Sequence, residues 1–236
     1  MTPQASHSDV WVVVRCHDEA QVVGSVVREL RSVFPNVVGV DDGSSDASGA
    51  QIRQAGARVV RHSVNLGAGA ALQTGIEFAL LDREARYLIC FDADGQHKVS
   101  DAEAMVERAR REELDLVVGS RFLGTPPIGM PPSRRLILRL GRQFERATTG
   151  IALSDAHNGL RVLSRQFAST VNLASADMSY ATELLEAVAR SGARYAEHPV
   201  EIRYTTYSLG KGVRSINSVN IAFDVLVRSL LGGRRR

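Results

Sequence analysis

The amino-acid sequence predicts an α/β fold: a mostly parallel sheet flanked by helices, forming a single domain with an amphipathic helix at its C-terminal end. Three observations predict it. Short β-branched runs alternate with helical patterns through the first half of the chain, which is the rhythm of crossover units on a parallel sheet. The runs are apolar almost throughout, as in buried strands. Acidic clusters follow three of the strands, at the carboxyl ends where open α/β sheets bind ligands.

Val10–Val14 (VWVVV) is the first strand. From Ala20 to Phe34, the residues Val22, Val23, Val26, Val27, Leu30 and Phe34 recur at helical spacing. Val37–Asp41 is the second strand, and Asp46–Gly56 the next helix, with Ser44, Ser45 or Asp46 available to cap it. Arg58–Arg61 is a strand, Gly67–Arg83 a helix, Tyr87–Asp92 a strand, Ser100–Arg111 a helix and Asp115–Gly119 a strand. Connections in such a series are right-handed.

The rhythm changes after Arg121. Gly124–Pro132 (GTPPIGMPP) is a turn-rich loop, and loops of this kind often act as lids. A helix is expected from Arg134 to about Thr149, a loop near Asp155–Gly159, a short element at Arg161–Leu163, a helix at about Ala181–Ser191 and a strand at Pro199–Tyr204. In the last segment Ile216, Val219, Phe223, Leu226, Val227 and Leu230 share one helical face, and Asn217, Asn220, Asp224 and Arg228 the other. Such a helix either packs on the body or lies on a bilayer, with the terminal arginines meeting lipid head groups. The expected organisation is a disordered N-terminus over 1–8, a folded domain over 9–212, and the amphipathic helix with its basic tail over 213–236.

Composition narrows the function class. The 236 residues are 44% hydrophobic and 23% charged, an ordinary globular balance with enough chain for a full core. Lys plus Arg is 29 against 26 for Asp plus Glu, and Arg234, Arg235 and Arg236 carry that whole excess. A balanced body argues against a nucleic-acid-coating protein. Two cysteines, Cys16 and Cys90, exclude a disulfide scaffold and a Cys-rich zinc site. Both lie in apolar runs and read as buried thiols in a reducing compartment. The N-terminus is polar, with no visible signal peptide, and no apolar run reaches the roughly 18–20 residues of a membrane span. The expected location is cytoplasmic, with peripheral membrane contact.

The acidic strand ends carry the chemistry. The first strand runs into His17-Asp18-Glu19, the second into Asp41-Asp42-Gly43-Ser44-Ser45-Asp46, and the fourth into Asp92-Ala93-Asp94-Gly95-Gln96-His97. Carboxylates about 4 Å apart repel by several kcal/mol at the effective dielectric of a protein surface. A divalent cation relieves that repulsion, and so do hydrogen bonds to a ligand's hydroxyls. A turn at Ala93–Gly95 brings Asp92 and Asp94 toward one ion, and Gln96 adds a carbonyl oxygen. Hard oxygens of this kind suit Mg²⁺ or Mn²⁺, which then hold a nucleotide's phosphates. Asp42 is placed to accept from a base or a ribose hydroxyl. His17, His97 and His157 lack metal-ligand spacing, so zinc is not expected.

Together these segments resemble family 2 glycosyltransferases of the GT-A type, a Rossmann-like, mostly parallel fold that binds nucleotide-sugars. The resemblance is carried by VDDGSSD (Val40–Asp46), NLGAGAALQTGI (Asn65–Ile76), FDADGQH (Phe91–His97), VVGSRF (Val117–Phe122), SDAHNGLRVLSR (Ser154–Arg165) and PVEIRYTTYSLGKG (Pro199–Gly212), in the family's order. Within the family the chain is similar to polyprenyl-phosphate sugar synthases of the dolichyl-phosphate mannose synthase type and to bacterial cell-surface polysaccharide enzymes. The resemblance implies a metal-dependent inverting transfer from a UDP- or GDP-sugar to a polyprenyl phosphate, at the inner face of the plasma membrane. Arg15 and Glu19, with Asp42, would hold the nucleoside. Asp92 and Asp94, with Gln96, would bind Mg²⁺ or Mn²⁺ and the donor diphosphate. Arg121, with Arg134 or Arg135, would grip the acceptor phosphate, and Asp155 would lie near the reacting sugar.

Two departures stand out. Where the family often has Pro-X-Tyr-Asn-Glu, this chain has Arg15-Cys16-His17-Asp18-Glu19, and a frequent lysine of the Asn-X-Gly segment is Ala68. A phosphate acceptor is already an anion and needs cations rather than a strong base. A glycan hydroxyl, the alternative acceptor, needs a general base, for which Asp155 stands first and Glu183 second. A nucleotidyltransferase would carry a Gly-rich basic loop where His17–Ala20 stands. A non-catalytic nucleotide-sugar-binding module would not need both Asp92 and Asp94.

Overall fold

The computed structural model of the chain describes residues 7–123, 143, 146, 150–175 and 180–203. The elements in chain order are β1 (Val10–Cys16), α1 (Val23–Arg31), β2 (Asn36–Asp41), α2 (Ser48–Gln54), β3 (Arg58–Arg61), α3 (Ala68–Leu80), β4 (Tyr87–Asp92), α4 (Val99–Glu112), β5 (Leu116–Ser120), β6 (Arg161–Ser164), α5 (Arg165–Ala168), α6 (Tyr180–Ser191) and β7 (Tyr195–Pro199). One seven-stranded sheet takes the order β3-β2-β1-β4-β6-β5-β7.

The central strand explains why its sequence is apolar without alternation. Val10, Val12 and Val14 face a core formed with Val23, Val27 and Leu30 of α1 and Met105 and Val106 of α4. Trp11 and Val13 face the opposite core, with Leu72 and Ile76 of α3 and Leu184 and Val188 of α6. Both faces of β1 are therefore covered, and period-2 polarity is absent. Each fully buried Val or Leu contributes ~1.5–3 kcal/mol against exposure, so the sheet is held by its two helical layers. The N-terminal edge is pinned by Arg110, whose Nη2 donates to Asp9 Oδ1 at 2.5 Å. α4 also matches its own dipole, with Asp101 in the first turn and Arg110 and Arg111 in the last.

The sheet is mostly parallel, as expected: β1 pairs in parallel with β2 and β4, β2 with β3, and β5 with β7, while β6 runs antiparallel to both β4 and β5. Asp155 meets Arg121 just beyond the end of β5, so the chain enters β6 from the carboxyl rim and must run back. Two expectations are corrected. The last strand is Tyr195–Pro199 rather than Pro199–Tyr204; it pairs with β5 from Leu116↔Tyr195 to Ser120↔Pro199. β5 ends at Ser120, whose carbonyl takes the Val200 N–H as the last contact between the two segments, and Ile202 instead bridges His97. Helices α1 and α2 start later than their apolar patterns, because the Glu19 carbonyl takes the Val22 and Val23 N–H groups and Asp46 takes that of Ser48. The expected lid loop Gly124–Pro132, Arg134 and Arg135 with most of their helix, and the segment 213–236 lie outside the described residues. Among the described residues no helix is long and apolar enough to cross a membrane.

Candidate functional site

The carboxyl ends of β1, β2 and β4 and the first turn of α3 enclose a cleft of about 350 Å³. Arg15, Glu19, Asp42, Asp92 and Asp94 all line it, together with His17 and Asn65. The structure thus brings into one cavity the five residues that the sequence points to for donor binding. Parallel neighbours do this directly: Arg15 stands opposite Val40 on β2 and opposite Asp92 on β4.

Asp92 is held from three sides. Arg15 Nε donates to its Oδ1 at 2.6 Å. His97 Nε2 lies 3.5 Å from its Oδ2. Gly159 presses on the same oxygen, where a Cβ would come within 2.0 Å. Burial works against the Asp92 charge, but Arg15 and His97 outweigh it and hold the carboxyl well below the usual carboxylate range. The same ion pair raises the Arg15 pKa although burial opposes its charge. Asp94 is the converse case. Burial and the neighbouring Asp92 charge push its carboxyl above the usual range, and its Oδ1 accepts only the Gln96 N–H, at 3.0 Å, among the described contacts. The turn between them needs Gly95, whose φ is +74°, a left-handed conformation that glycine adopts without strain.

Gln96 does not line the cleft, and its backbone carbonyl accepts the Arg203 N–H at 2.8 Å. Of the three residues expected to hold a cation, Asp92 and Asp94 line the cleft. Among the described residues no group of three or more His, Cys, Asp or Glu side chains is placed to hold an ion. Two hard carboxylates, one of them short of a positive partner, suit a Mg²⁺ or Mn²⁺ that completes its shell with water and phosphate oxygens.

Asp42 organises the opposite wall. Its Oδ1 accepts from His62 Nδ1 at 2.7 Å and Leu66 N at 2.9 Å, and its Oδ2 from Gly67 N at 2.8 Å. His62 is fixed in turn by Thr74 Oγ1 at 3.0 Å. A carboxylate offers about four acceptor positions, and Asp42 spends three of them tying β2 to His62 and to the start of α3. The loops after β1 and β2 are stitched together as well. Asp18 Oδ1 accepts from Ser45 N at 2.8 Å, and Ser48 Oγ accepts from Glu19 N at 2.8 Å. The Cys16 and Cys90 thiols are both pushed up to about 12, mainly by burial, so neither offers a thiolate.

The second constellation joins Arg121 to Asp155. Arg121 Nε and Nη2 donate to Oδ2 and Oδ1 of Asp155 at 2.7 and 2.8 Å, and the Arg121 backbone N–H adds a contact at 3.1 Å. Burial disfavours the Asp155 charge, but the Arg121 hydrogen bonds and charge override it and lower the pKa. A carboxylate engaged at both oxygens is a weak base, so the geometry favours Asp155 as the partner that aims Arg121. Glu197 of β7 supports this pair: its Oε1 accepts from Ser154 N and Oγ, both at 2.7 Å, and from Asp155 N at 3.0 Å. Glu183, the other candidate base, is taken up by Ala174 N, Ser175 N and Ser175 Oγ.

His62, His97, Gly159, Tyr180, Arg161 and Glu197 all support the site and were not singled out by residue chemistry alone. His97, Gly159 and Arg161 sit inside the segments that carry the family resemblance. Nothing local marks Glu197 or Tyr180.

Comparison with known proteins agrees with the fold. The family model "Glycosyl transferase family 2" matches residues 11–171. A protein of Methanocaldococcus jannaschii without assigned function is 30% identical over 96% of this chain and 95% of its own. The UDP-N-acetylglucosamine–dolichyl-phosphate N-acetylglucosaminyltransferase of Methanococcus voltae is 24% identical over 94% of this chain and 95% of its own. The undecaprenyl-phosphate mannosyltransferase of Micrococcus luteus is 28% identical over 81% and 82%. Among solved structures, glucosyl-3-phosphoglycerate synthase of Mycobacterium tuberculosis superposes with a TM-score of 0.67 at 18% identity, covering 86% of this chain and 76% of that one, which bears on the fold alone. With the family model spanning most of the sheet and all three acidic strand ends, the chain belongs to glycosyl transferase family 2.

Proposed function

We propose that the protein is a metal-dependent, inverting glycosyltransferase that moves a sugar from a UDP- or GDP-sugar to a polyprenyl phosphate at a membrane surface. One observation carries the reading: two partly buried carboxylates stand two residues apart at the carboxyl end of β4, and Arg15 hydrogen-bonds Asp92 while burial and the Asp92 charge push the Asp94 carboxyl above its usual range. A cation relieves that strain, and a cation at that rim suits a nucleotide diphosphate. The acceptor follows from the Arg121–Asp155 pair and from the lipid phosphates in the names of the Methanococcus and Micrococcus relatives.

In this reading Asp94 and Asp92 hold Mg²⁺ or Mn²⁺, which when bound supplies Lewis-acid neutralisation of the leaving diphosphate. Solved structures of the same fold contain Mn²⁺ with UDP-glucose. Glu19 and Asp42 hold the nucleoside, and Arg15 keeps Asp92 ionised and oriented. Arg121, with Arg134 or Arg135, brings the acceptor phosphate beside the donor by its positive charge. Asp155 fixes the Arg121 fork. A phosphate nucleophile is anionic at neutral pH, so no base is required, which matches a lowered Asp155.

Residues 9–212 form the catalytic domain in this reading, and segment 213–236 is the part that meets the lipid surface, on the cytoplasmic side. Flotation of the full chain and of a truncation ending at Arg214 with anionic liposomes tests that division; equal flotation removes it.

The central test is thermal-shift titration with UDP, GDP and their sugars, with and without Mn²⁺, since ligands of the native state raise its stability. Metal-dependent stabilisation by one nucleotide is expected, and it disappears in Asp94→Ala. Metal-independent binding, or an unchanged response in Asp94→Ala, overturns the metal role.

A further inference from the structure

Arg161 is 1% exposed, yet its Nη1 has no hydrogen-bond partner among the described residues. Its Nη2 donates to the Ala156 carbonyl at 2.8 Å, in the loop that carries Asp155 at one end and Gly159 at the other. A buried guanidinium N–H without an acceptor needs another source of negative potential. The Tyr180 ring supplies it: Arg161 Cζ is 5.2 Å from the ring centroid. The same ring takes a second guanidinium, with Arg15 Cζ at 5.4 Å. Tyr180, the first residue of α6, is itself 1% exposed.

We propose that Tyr180 is a positioning residue of the donor cleft: its ring fixes the Arg15 guanidinium in the pose that grips Asp92 and, through Arg161, ties that pose to the 155–159 loop. Arg15 reaches Asp92 through Nε alone among its described contacts, and a single hydrogen bond leaves a long side chain free to turn about it. An aromatic face within about 6 Å attracts the cation and removes that freedom. Two guanidiniums repel each other, and a shared ring holds both only while its face stays negative. The ring thereby couples three chain segments that bear on one carboxylate: β1 through Arg15, β6 through Arg161, and the 155–159 loop through both Ala156 and the close approach of Gly159 to Asp92. This inference rests on the reading of Asp92 and Asp94 as the donor-side carboxylates.

The test changes the ring's electrostatics without changing its shape. In the full chain, Tyr180→Phe sets the reference, and mono-, di- and trifluorinated phenylalanines at position 180 drain the negative face stepwise. The readout is the half-saturating Mn²⁺ concentration for stabilisation by UDP or GDP, measured by thermal shift, with turnover as a second measure. The half-saturating Mn²⁺ is expected to rise with each fluorine, by about three- to thirtyfold across the series, and Tyr180→Leu is expected to lie at its weak end. A purely space-filling ring would not respond to fluorination, so a flat series in a chain that binds Mn²⁺ and nucleotide overturns the role of Tyr180 alone. Failure of the unaltered chain to bind either nucleotide with Mn²⁺ overturns the donor-site reading and this inference with it.

Discussion

Replacing Gly159 with alanine tests the Asp92 clamp by adding one methyl group. The new Cβ would lie 2.0 Å from Asp92 Oδ2 and 2.7 Å from its Cγ, whereas carbon and oxygen in contact sit about 3.3 Å apart. Either the carboxylate or the 155–160 segment must therefore retreat by about an ångström. Overpacking of this kind costs about 1–3 kcal/mol. If the carboxylate gives way, the 2.6 Å bond from Arg15 breaks as well, and charged hydrogen bonds are worth about 1.5–3 kcal/mol. For a chain of this size each kcal/mol lowers Tm by about 2–4 °C. The expected result is a Tm lower by several degrees, with a larger effect on function: displacement by an ångström can cost about 10²-fold in rate. Thermal melts, UDP or GDP titration with Mn²⁺, and single-turnover sugar transfer measure the three quantities. Native Tm, native nucleotide binding and native turnover in Gly159→Ala would show that Asp92 is not confined as described.

Other expectations follow from the second constellation and the opposite wall. Asp155→Ala leaves Arg121, 14% exposed, without its carboxylate, and a loss of about 3 kcal/mol is expected, the low end for breaking a buried pair. Because the folded pKa of Asp155 is depressed, its contribution is fully present above the unfolded value of about 3.9 and fades as pH falls through the folded one. Urea melts of the two proteins should therefore differ at pH 6 and converge in acid; a constant gap would contradict the pairing. Glu197→Ala removes three hydrogen bonds to Ser154 and Asp155, and in a double-mutant cycle with Asp155→Ala its effect should be less than additive; strict additivity would separate Glu197 from the pair. Asp42→Asn puts a donor where one carboxylate oxygen now accepts backbone N–H, and should cost about 1–3 kcal/mol and weaken nucleotide binding more than acceptor use, as read from separate KM values.

The alternation of strands and helices and the acidic strand ends were legible because they depend on local rules. A strand covered by helices on both faces must be apolar throughout, and β1 is. Open sheets bind ligands at the carboxyl ends of their strands, and Arg15, Asp42 and Asp92 stand there, lining one cleft. The parallel registers Arg15↔Val40 and Arg15↔Asp92 turn that sequence order into one cavity. The antiparallel β6 was not legible, since its direction depends on where the preceding segment meets β5. The strand at Tyr195–Pro199 was missed because its residues are half-buried and polar, and pairing with β5 alone defines it.

The sequence by itself determined the fold class, the family and the chemical character of the rim: these follow from periodicity and residue type, which act over a few residues. The tertiary structure decided that Asp92 pairs with Arg15 and that Asp155 is spoken for by Arg121. It also decided that Tyr180, Glu197 and Gly159 matter at all. Charge compensation and close contact depend on distances between segments far apart in the chain, as between Arg15 and Asp92, 77 residues apart, and only the packed sheet sets those distances.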